Sequence, residues 1–186
     1  NNASFAGSNL VGADFTGAIS AVGLDLSAAY LDGANFSGMN IAGIVMDDAN
    51  LTHAYLQDTN LSAASLRRAV FRSAHLDRST LNGAELEGAI LVDADLNDAN
   101  MAGLDLSGLP ISSAMLVGAD LSGANLAGAD LQFSDLRDAN LANASLQSAL
   151  VRSTVFNGVI WNNTICVDGT NSTNHVGGSC LNPLDP

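Results

Sequence analysis

Residues 119–143 read ADLSGANLAGADLQFSDLRDANLAN, and this stretch decides the fold because its leucines recur every five residues. Stepping by five from Leu26 to Trp161, all 28 positions are apolar and 19 of them are Leu. Ala usually stands two residues before each of these positions, and Asp or Asn often stands directly before it. Phe5, Leu10 and Phe15 follow the same spacing one residue out of phase, so we expect a one-residue insertion between Phe15 and Leu26.

A period of five fits neither standard element. On an α-helix, successive leucines would rotate by about 140° around the axis and form no stripe. On a flat strand they would face opposite sides of the sheet, because five is odd. We therefore expect the chain to turn a corner every five residues, with Leu pointing into a closed coil and Ala filling its narrow interior. Stacked coils would pair their backbones as a parallel sheet does, and short Asp and Asn side chains would occupy the corners.

The repeated segments carry a family resemblance. Residues 119–123, 124–128 and 139–143 resemble the pentapeptide-repeat family, whose signature is A(D/N)LXX, and the likeness extends over residues 3–161. The resemblance implies an all-β fold, a right-handed quadrilateral parallel β-helix with four repeats in each coil. About eight coils at ~4.8 Å each would make a rod roughly 38 Å long. We expect residues 1–161 to form this solenoid and residues 162–186 to form a C-terminal cap.

A coil of four repeats predicts that residues 20 apart stack on each other. One predicted column is polar and consists of Asn40, Asn60, Thr80, Asn100, Asp120 and Asn140. Three arginines meet acids at the same spacing: Arg67 lies between Asp47 and Glu87, Arg78 between Asp58 and Asp98, and Arg68 above Asp48.

Some inward positions are larger than the interior allows. They are Leu24, Met39, Ile44, Leu104, Leu109 and Val159, each in the position that Ala usually takes. Leu109 is followed by Pro110, which lacks a backbone donor. We therefore expect a bulge or a widened coil near residues 109–111.

The only two cysteines, Cys166 and Cys180, lie near the C-terminus of the sequence. We expect them to form a disulfide that pins the cap; the alternative is two reduced, unrelated thiols. A lasting disulfide indicates an oxidising compartment. We therefore expect an exported protein whose signal peptide has been removed, located in a periplasmic, lumenal or secreted setting. Residue 1 is Asn, so we expect that the start has been processed, trimmed or left out.

The sequence offers little catalytic chemistry. His53, His75 and His175 lie at outward or tail positions of the predicted register, and no phosphate-binding, HExxH or GxSxG motif occurs. His75 would stack between Tyr55 and Asp95, and His53 and His75 could share a metal with Asp93, although no ligand spacing demands it. We expect no enzymatic activity, no cofactor and no metal.

The charge narrows the choice of partners. The chain has 19 acidic residues and 6 basic ones, a net charge of −13, which disfavours direct binding to nucleic acid or anionic lipid. It has no apolar run long enough to span a membrane. We expect a monomer or weak dimer that acts as a structural or interaction scaffold for an unknown protein partner.

Two further expectations concern that partner. The candidate contact surface is Tyr30, Tyr55, Val70, Ile90, Pro110, Met115, Phe133 and Leu150, unless these are merely scattered surface hydrophobics. The second expectation comes from the family resemblance. The family includes quinolone-resistance and toxin-immunity proteins that bind DNA gyrase by resembling a rod of DNA. That resemblance implies an alternative function as a DNA-mimicking modulator of DNA gyrase or topoisomerase.

Overall fold

The computed structural model of the protein describes residues 3–17, 23–174 and 180. Across the first two ranges a five-residue unit repeats, with one bridging residue, two inward residues and two turn residues in each unit. The backbone pairs through single-residue β-bridges, and all but one of these bridges are parallel. The one helix within the described residues is a 3₁₀ turn, Ser172–Asn174. The predicted fold class, an all-β solenoid, is therefore confirmed.

The leucines at the five-residue spacing form a continuous core. Leu121 and Leu131 are 0% exposed and Leu126 is 1% exposed, and the Ala residues that precede them by two positions are buried with them. Two large residues from neighbouring repeats would not fit side by side in so narrow an interior, so Ala separates each Leu from the next.

Residues 20 apart stack, as the four-sided coil predicts. Bridges join Asn40 to Asn60 and Asp120 to Asn140 at this spacing. In the first coil the spacing is 21, as in the bridge from Ser4 to Asp25. The structure thus confirms the one-residue insertion upstream of Leu26.

A regular repeat makes three vertical hydrogen bonds and closes one turn. At the repeat centred on Leu26, the N–H of Leu26 donates to Val45 O and the N–H of Ala28 to Asp47 O, each over 2.8 Å. The N–H of Ala29 donates back to Leu26 O over 3.1 Å, which closes a four-residue turn. The third vertical bond comes from the bridging residue, as where the N–H of Asn50 donates down to Ala29 O.

The corner assignment of the Asp and Asn residues needs correction. They occupy the bridging position on the flat side of the coil, and the positive φ falls on the second turn residue, for example Gly123 at 68° or Asp48 at 60°. A four-residue turn with positive φ at its third residue favours Gly there, which explains the frequent Gly two residues after Leu. The bridging carboxylates and amides do bond nearby backbone: Asp120 Oδ1 accepts the N–H of Ser122 over 3.0 Å.

The predicted arginine stacks are partly present. Arg68 binds Asp48 and Arg78 binds Asp58 through paired hydrogen bonds of 2.7 to 2.9 Å. Arg67 approaches Asp47 at 3.7 Å, but its second acid is Glu85 and not Glu87. The side chain therefore reaches to the flat side of the next coil and not to its turn.

The polar column is a ladder of side-chain bonds only in places. Asn60 donates to Asn40 over 3.0 Å and Asn140 to Asp120 over 3.1 Å. At Asn100, the side-chain oxygen accepts the N–H of Ala102, within its own repeat. The turn bond does not exclude the vertical one, because Asn40 Oδ1 also accepts the N–H of Ala42 and Asp120 Oδ1 also accepts that of Ser122.

A local opening occurs, but upstream of its predicted place near residues 109–111. Pro110 O still accepts the N–H of Leu91 over 2.9 Å. The opening lies on the neighbouring side of the column, where residues 83–88 face residues 102–107, and Leu109 lines it. The large inward residues widen the coil, whereas Pro110 only removes its own donor.

The regular pattern continues to Ile165, which bridges Ser145 below it and pairs antiparallel with Asn171. Cys166 and Cys180 form a disulfide across 14 positions of sequence, so the predicted pairing is correct. Beyond Asn174 only Cys180 is described, and the cap over residues 162–186 stays a prediction.

Candidate interaction surface

One side of the column carries the first five predicted contact residues. Tyr30, Val70, Ile90, Pro110 and Leu150 stack in a single column that also contains Asn50 and Asp130. Tyr30 is 57% exposed and Leu150 is 53% exposed, while the three residues between them are half-buried. The stacking brings these residues together only in part, because Asn50 and Asp130 interrupt the apolar run.

The adjacent side supplies the remaining residues. Tyr55 and Met115 lie in one column with His75 and Asp95, and both contact residues are exposed. Phe133 lies in the turn between the two sides and is 56% exposed. The predicted residues therefore surround one corner of the rod rather than one flat side.

Phe133 occupies an unusual conformation. Its φ is 63°, a region in which a bulky side chain is disfavoured. The guanidinium of Arg152, one coil further on, lies 5.7 Å from the centre of its ring, a cation–π contact. This contact fixes an exposed aromatic ring at the corner between the two apolar sides.

Sequence reasoning missed an apolar belt around the last regular coil. Leu150, Val155, Ile160 and Ile165 occupy the four successive bridging positions, one on each side of the column, and are between 38% and 53% exposed. In most other repeats this position holds a polar residue. The signal was present in the sequence as four consecutive apolar bridging residues, but we read only Leu150 as part of a surface.

Three acids near this surface, Asp48, Asp58 and Asp135, are held in the ionised form by arginine side chains. The pKa of Asp135 is lowered, first by the hydrogen bond from the Arg137 guanidinium and also by the Arg137 backbone N–H. Asp48 and Asp58 have lowered pKa values because Arg68 and Arg78 donate to them. The surface therefore presents apolar groups close to three carboxylates that an arginine keeps charged.

The histidines do not assemble the predicted metal-binding group in the described part of the chain. The His53 ring nitrogen lies 3.1 Å from Asp32, and the His75 ring stacks on Tyr55 with centroids 5.2 Å apart. Residues 3–17, 23–174 and 180 contain no group of three His, Cys, Asp or Glu side chains placed to hold a metal ion. His175 lies outside the described residues.

Among the same residues, no helix is both long enough and apolar enough to cross a membrane.

The geometry can be compared with known proteins. A family model for pentapeptide repeats matches in eight copies, over residues 1–19, 44–83, 80–114, 111–143 and 119–158. No curated protein matches the sequence.

Solved structures of pentapeptide-repeat proteins are similar to this chain. A trypsin-treated variant of QnrB1, a plasmid-mediated fluoroquinolone resistance protein, is 18% identical; the match covers 86% of this chain and 84% of that one, with a TM-score of 0.48. HetL from the cyanobacterium Nostoc sp. strain PCC 7120, involved in heterocyst differentiation regulation, is 26% identical over 91% of this chain and 87% of its own, with a TM-score of 0.30. A protein from the Arabidopsis thaliana thylakoid lumen is 24% identical over 68% and 64%, with a TM-score of 0.29.

The repeat model covers most of the chain, and its five-residue unit is the one that builds the stacked coils described above. The chain therefore belongs to the pentapeptide-repeat family.

Proposed function

We propose that this protein is a non-catalytic interaction scaffold that works outside the cytoplasm and binds a protein partner through the apolar corner. The observation that supports this function is the grouping of exposed Tyr30, Tyr55, Met115, Phe133 and Leu150 around one corner of the rod. Exposed aromatic and large apolar residues that lie together are typical of protein interfaces.

The disulfide supports a location outside the cytoplasm. Cys166 and Cys180 are bonded to each other, and lasting disulfides belong to oxidising compartments. Titration of thiols in denatured, unreduced protein taken from its native compartment should find none. Two free thiols per chain would contradict the extracytoplasmic location without affecting the contact surface.

A matched pair of variants tests the contact surface. Val70→Asp/Ile90→Asp places two charges on the apolar side, and Thr80→Asp/Asn100→Asp places two charges in the same two coils on the polar side. In a pull-down from native extract, the first variant should lose its partners by at least about tenfold, because buried unpaired charge is costly at an interface. The second variant should keep them. Equal retention by both variants would remove this surface from consideration.

A second candidate function rests on charge. The net charge of −13 is spread along a rod, and double-stranded DNA is also a rod of regularly spaced negative charge. This favours the alternative of a DNA-mimicking protein that binds DNA gyrase. A supercoiling assay with purified gyrase decides it: inhibition at micromolar protein would support the mimic, and no inhibition would exclude it.

A further inference from the structure

One side of the column lacks the backbone pairing that the neighbouring coils make. Residues 83–88 face residues 102–107 there, and we call this region the seam. Within the described residues, four expected bonds are not formed: Gly83 N–H to Ala102 O, Leu86 N–H to Asp105 O, Gly88 N–H to Ser107 O, and Asp105 N–H to Ala84 O.

The same four bonds are present one coil above and one coil below. Above the seam they are Gly103 to Ser122, Leu106 to Asn125, Gly108 to Ala127 and Asn125 to Leu104, each over 2.8 or 2.9 Å. Below it they are Ala63 to Asn82, Leu66 to Glu85, Arg68 to Glu87 and Glu85 to Ala64, also over 2.8 or 2.9 Å. The seam is therefore a local exception in an otherwise regular ladder.

Two large inward side chains explain the exception. Leu104 and Leu109 stand in successive Ala positions of the same coil and are 3% and 4% exposed. Leu104 lies one coil above Ala84, which is 8% exposed, whereas Ala64 in the coil below is fully buried. Two leucines in place of two alanines overfill the interior, and the coil accommodates them by separating from the one beneath.

The separation forms an open cleft of about 280 Å³. It is lined by Arg67, Ala84, Glu85, Leu86, Glu87, Gly88, Asp105, Ser107 and Leu109. Glu85 and Asp105 occupy the same column on opposite sides of the cleft, so their like charges disfavour closing it. Arg67 lies one coil below Glu85 and forms an ion pair with it. This ion pair holds the Glu85 side chain on the lower side of the cleft.

The cleft is bounded on both sides by vertical hydrogen bonds, although Pro110 contributes no donor of its own. The N–H of Leu81 donates to Asn100 O over 2.8 Å, and that of Leu91 to Pro110 O over 2.9 Å. Vertical hydrogen bonds therefore connect the two coils on the sides next to the seam, whereas at the seam these bonds are missing. An opening of this shape lets the rod bend about the paired sides but does not divide it.

We propose that the seam is a hinge built into the solenoid, at which the coils before and after it tilt as two stiff segments. The energetic barrier to bending is low there because no vertical hydrogen bond must break. Such a hinge would let the rod adjust its curvature to a partner. The inference does not depend on which partner the protein binds.

Spin-label distance measurements test the hinge. One pair of labels, at Val45 and Ser145, spans five coils on the seam side; a second pair, at Asn35 and Asp135, spans five coils on the opposite side. Both mean distances should be near ~24 Å, at ~4.8 Å per coil. The distance distribution on the seam side should be about twice as wide. Equal widths would contradict the hinge.

Variants that remove the two large inward leucines provide a second test of the hinge. Leu104→Ala/Leu109→Ala should narrow the seam-side distribution and slow amide hydrogen exchange at Gly83, Leu86 and Gly88 by at least about tenfold. Ile44→Ala is the control, because Ile44 is also an outsized inward residue, yet Leu26 N–H still donates to Val45 O and Ala28 N–H to Asp47 O in the coil below it. It should leave the seam amides unchanged.

Exchange in the unmodified protein decides the question even if the double variant fails to fold. The seam amides should exchange at least about tenfold faster than Gly103, Leu106 and Gly108, their counterparts one coil above. Equal protection in the two coils would overturn the proposal.

Discussion

At the scale of single residues, the narrow interior decides which side chains are tolerated. Where Ser or Thr replaces an inward Ala, its hydroxyl donates to the carbonyl of an inward residue in the coil below. Ser134 donates to Ile111 O over 2.8 Å and Thr59 to Phe36 O over 2.9 Å. Ser79 is the exception among the described residues, since its buried hydroxyl has no partner.

Ser79→Ala should therefore stabilise the protein. Removing an unpaired buried hydroxyl should raise the free energy of unfolding by about 1 kcal/mol. Ser134→Ala removes a satisfied hydroxyl at the equivalent position and should lower it by about the same amount. Urea unfolding of the two variants measures both changes; a loss of stability in Ser79→Ala would contradict this explanation.

The second turn residue is limited by its backbone conformation. Gly128 has a φ of 68° and nothing within 4 Å of the place where a Cβ would be, so any cost of substitution comes from the backbone alone. Gly128→Val should lower the free energy of unfolding by about 2 kcal/mol, and Gly128→Asn by less than about 1 kcal/mol, because Asn tolerates the left-handed region. Equal losses in urea unfolding would show that φ is not the limiting factor.

At the scale of the coil, the inward leucine is the main source of stability. Leu121 is fully buried, and Leu150 in a neighbouring position of the repeat is 53% exposed. Leu121→Ala should lower the free energy of unfolding by about 3 kcal/mol through lost burial and a cavity. Leu150→Ala should change it by less than about 0.5 kcal/mol. Similar losses in the two variants, measured by urea unfolding, would contradict the assignment of inward and outward positions.

The coil is also where sequence reasoning succeeded and failed. The period of five was enough to orient Leu121 inward, and the 20-residue spacing was enough to pair Arg68 with Asp48. It could not choose between Glu85 and Glu87 for Arg67, because that choice depends on the reach of a flexible side chain. Nor could it place the opening, since overfilling by Leu104 strains the coil but does not say which vertical bonds break.

The contact surface was also predictable only in part from the sequence. Spacing alone put Tyr30 and Leu150 in one column, and it put Phe133 near them at a corner. The belt of Val155, Ile160 and Ile165 was overlooked because each residue lies on a different side. A belt around a coil becomes visible only when four consecutive repeats are viewed as one turn.

At the scale of the whole molecule, ion pairs make stability depend on pH. The pKa values of Asp48, Asp58 and Asp135 are lowered in the folded state, in each case first by a hydrogen bond from an arginine side chain. A carboxyl whose folded pKa is lowered contributes stability above its unfolded pKa of about 3.9. That contribution is lost as pH falls through the folded value.

The melting temperature should therefore be nearly constant from pH 7 to about pH 5 and should fall as the pH drops below about 4. Thermal unfolding followed by circular dichroism measures this. Asp48→Asn/Asp58→Asn should flatten the acid decline, because it removes two of the linked groups. A decline that is equally steep in this variant would show that other carboxyls dominate.

The central claim is that the chain advances by one coil every 20 residues. Spin labels at Asn40 and Asn140, five bridged steps apart in the polar column, test it most directly. Stacked coils predict a single mean separation near ~24 Å, at ~4.8 Å per coil. A mean separation above about 35 Å would contradict the stacked solenoid, because five steps of parallel β pairing cannot extend that far.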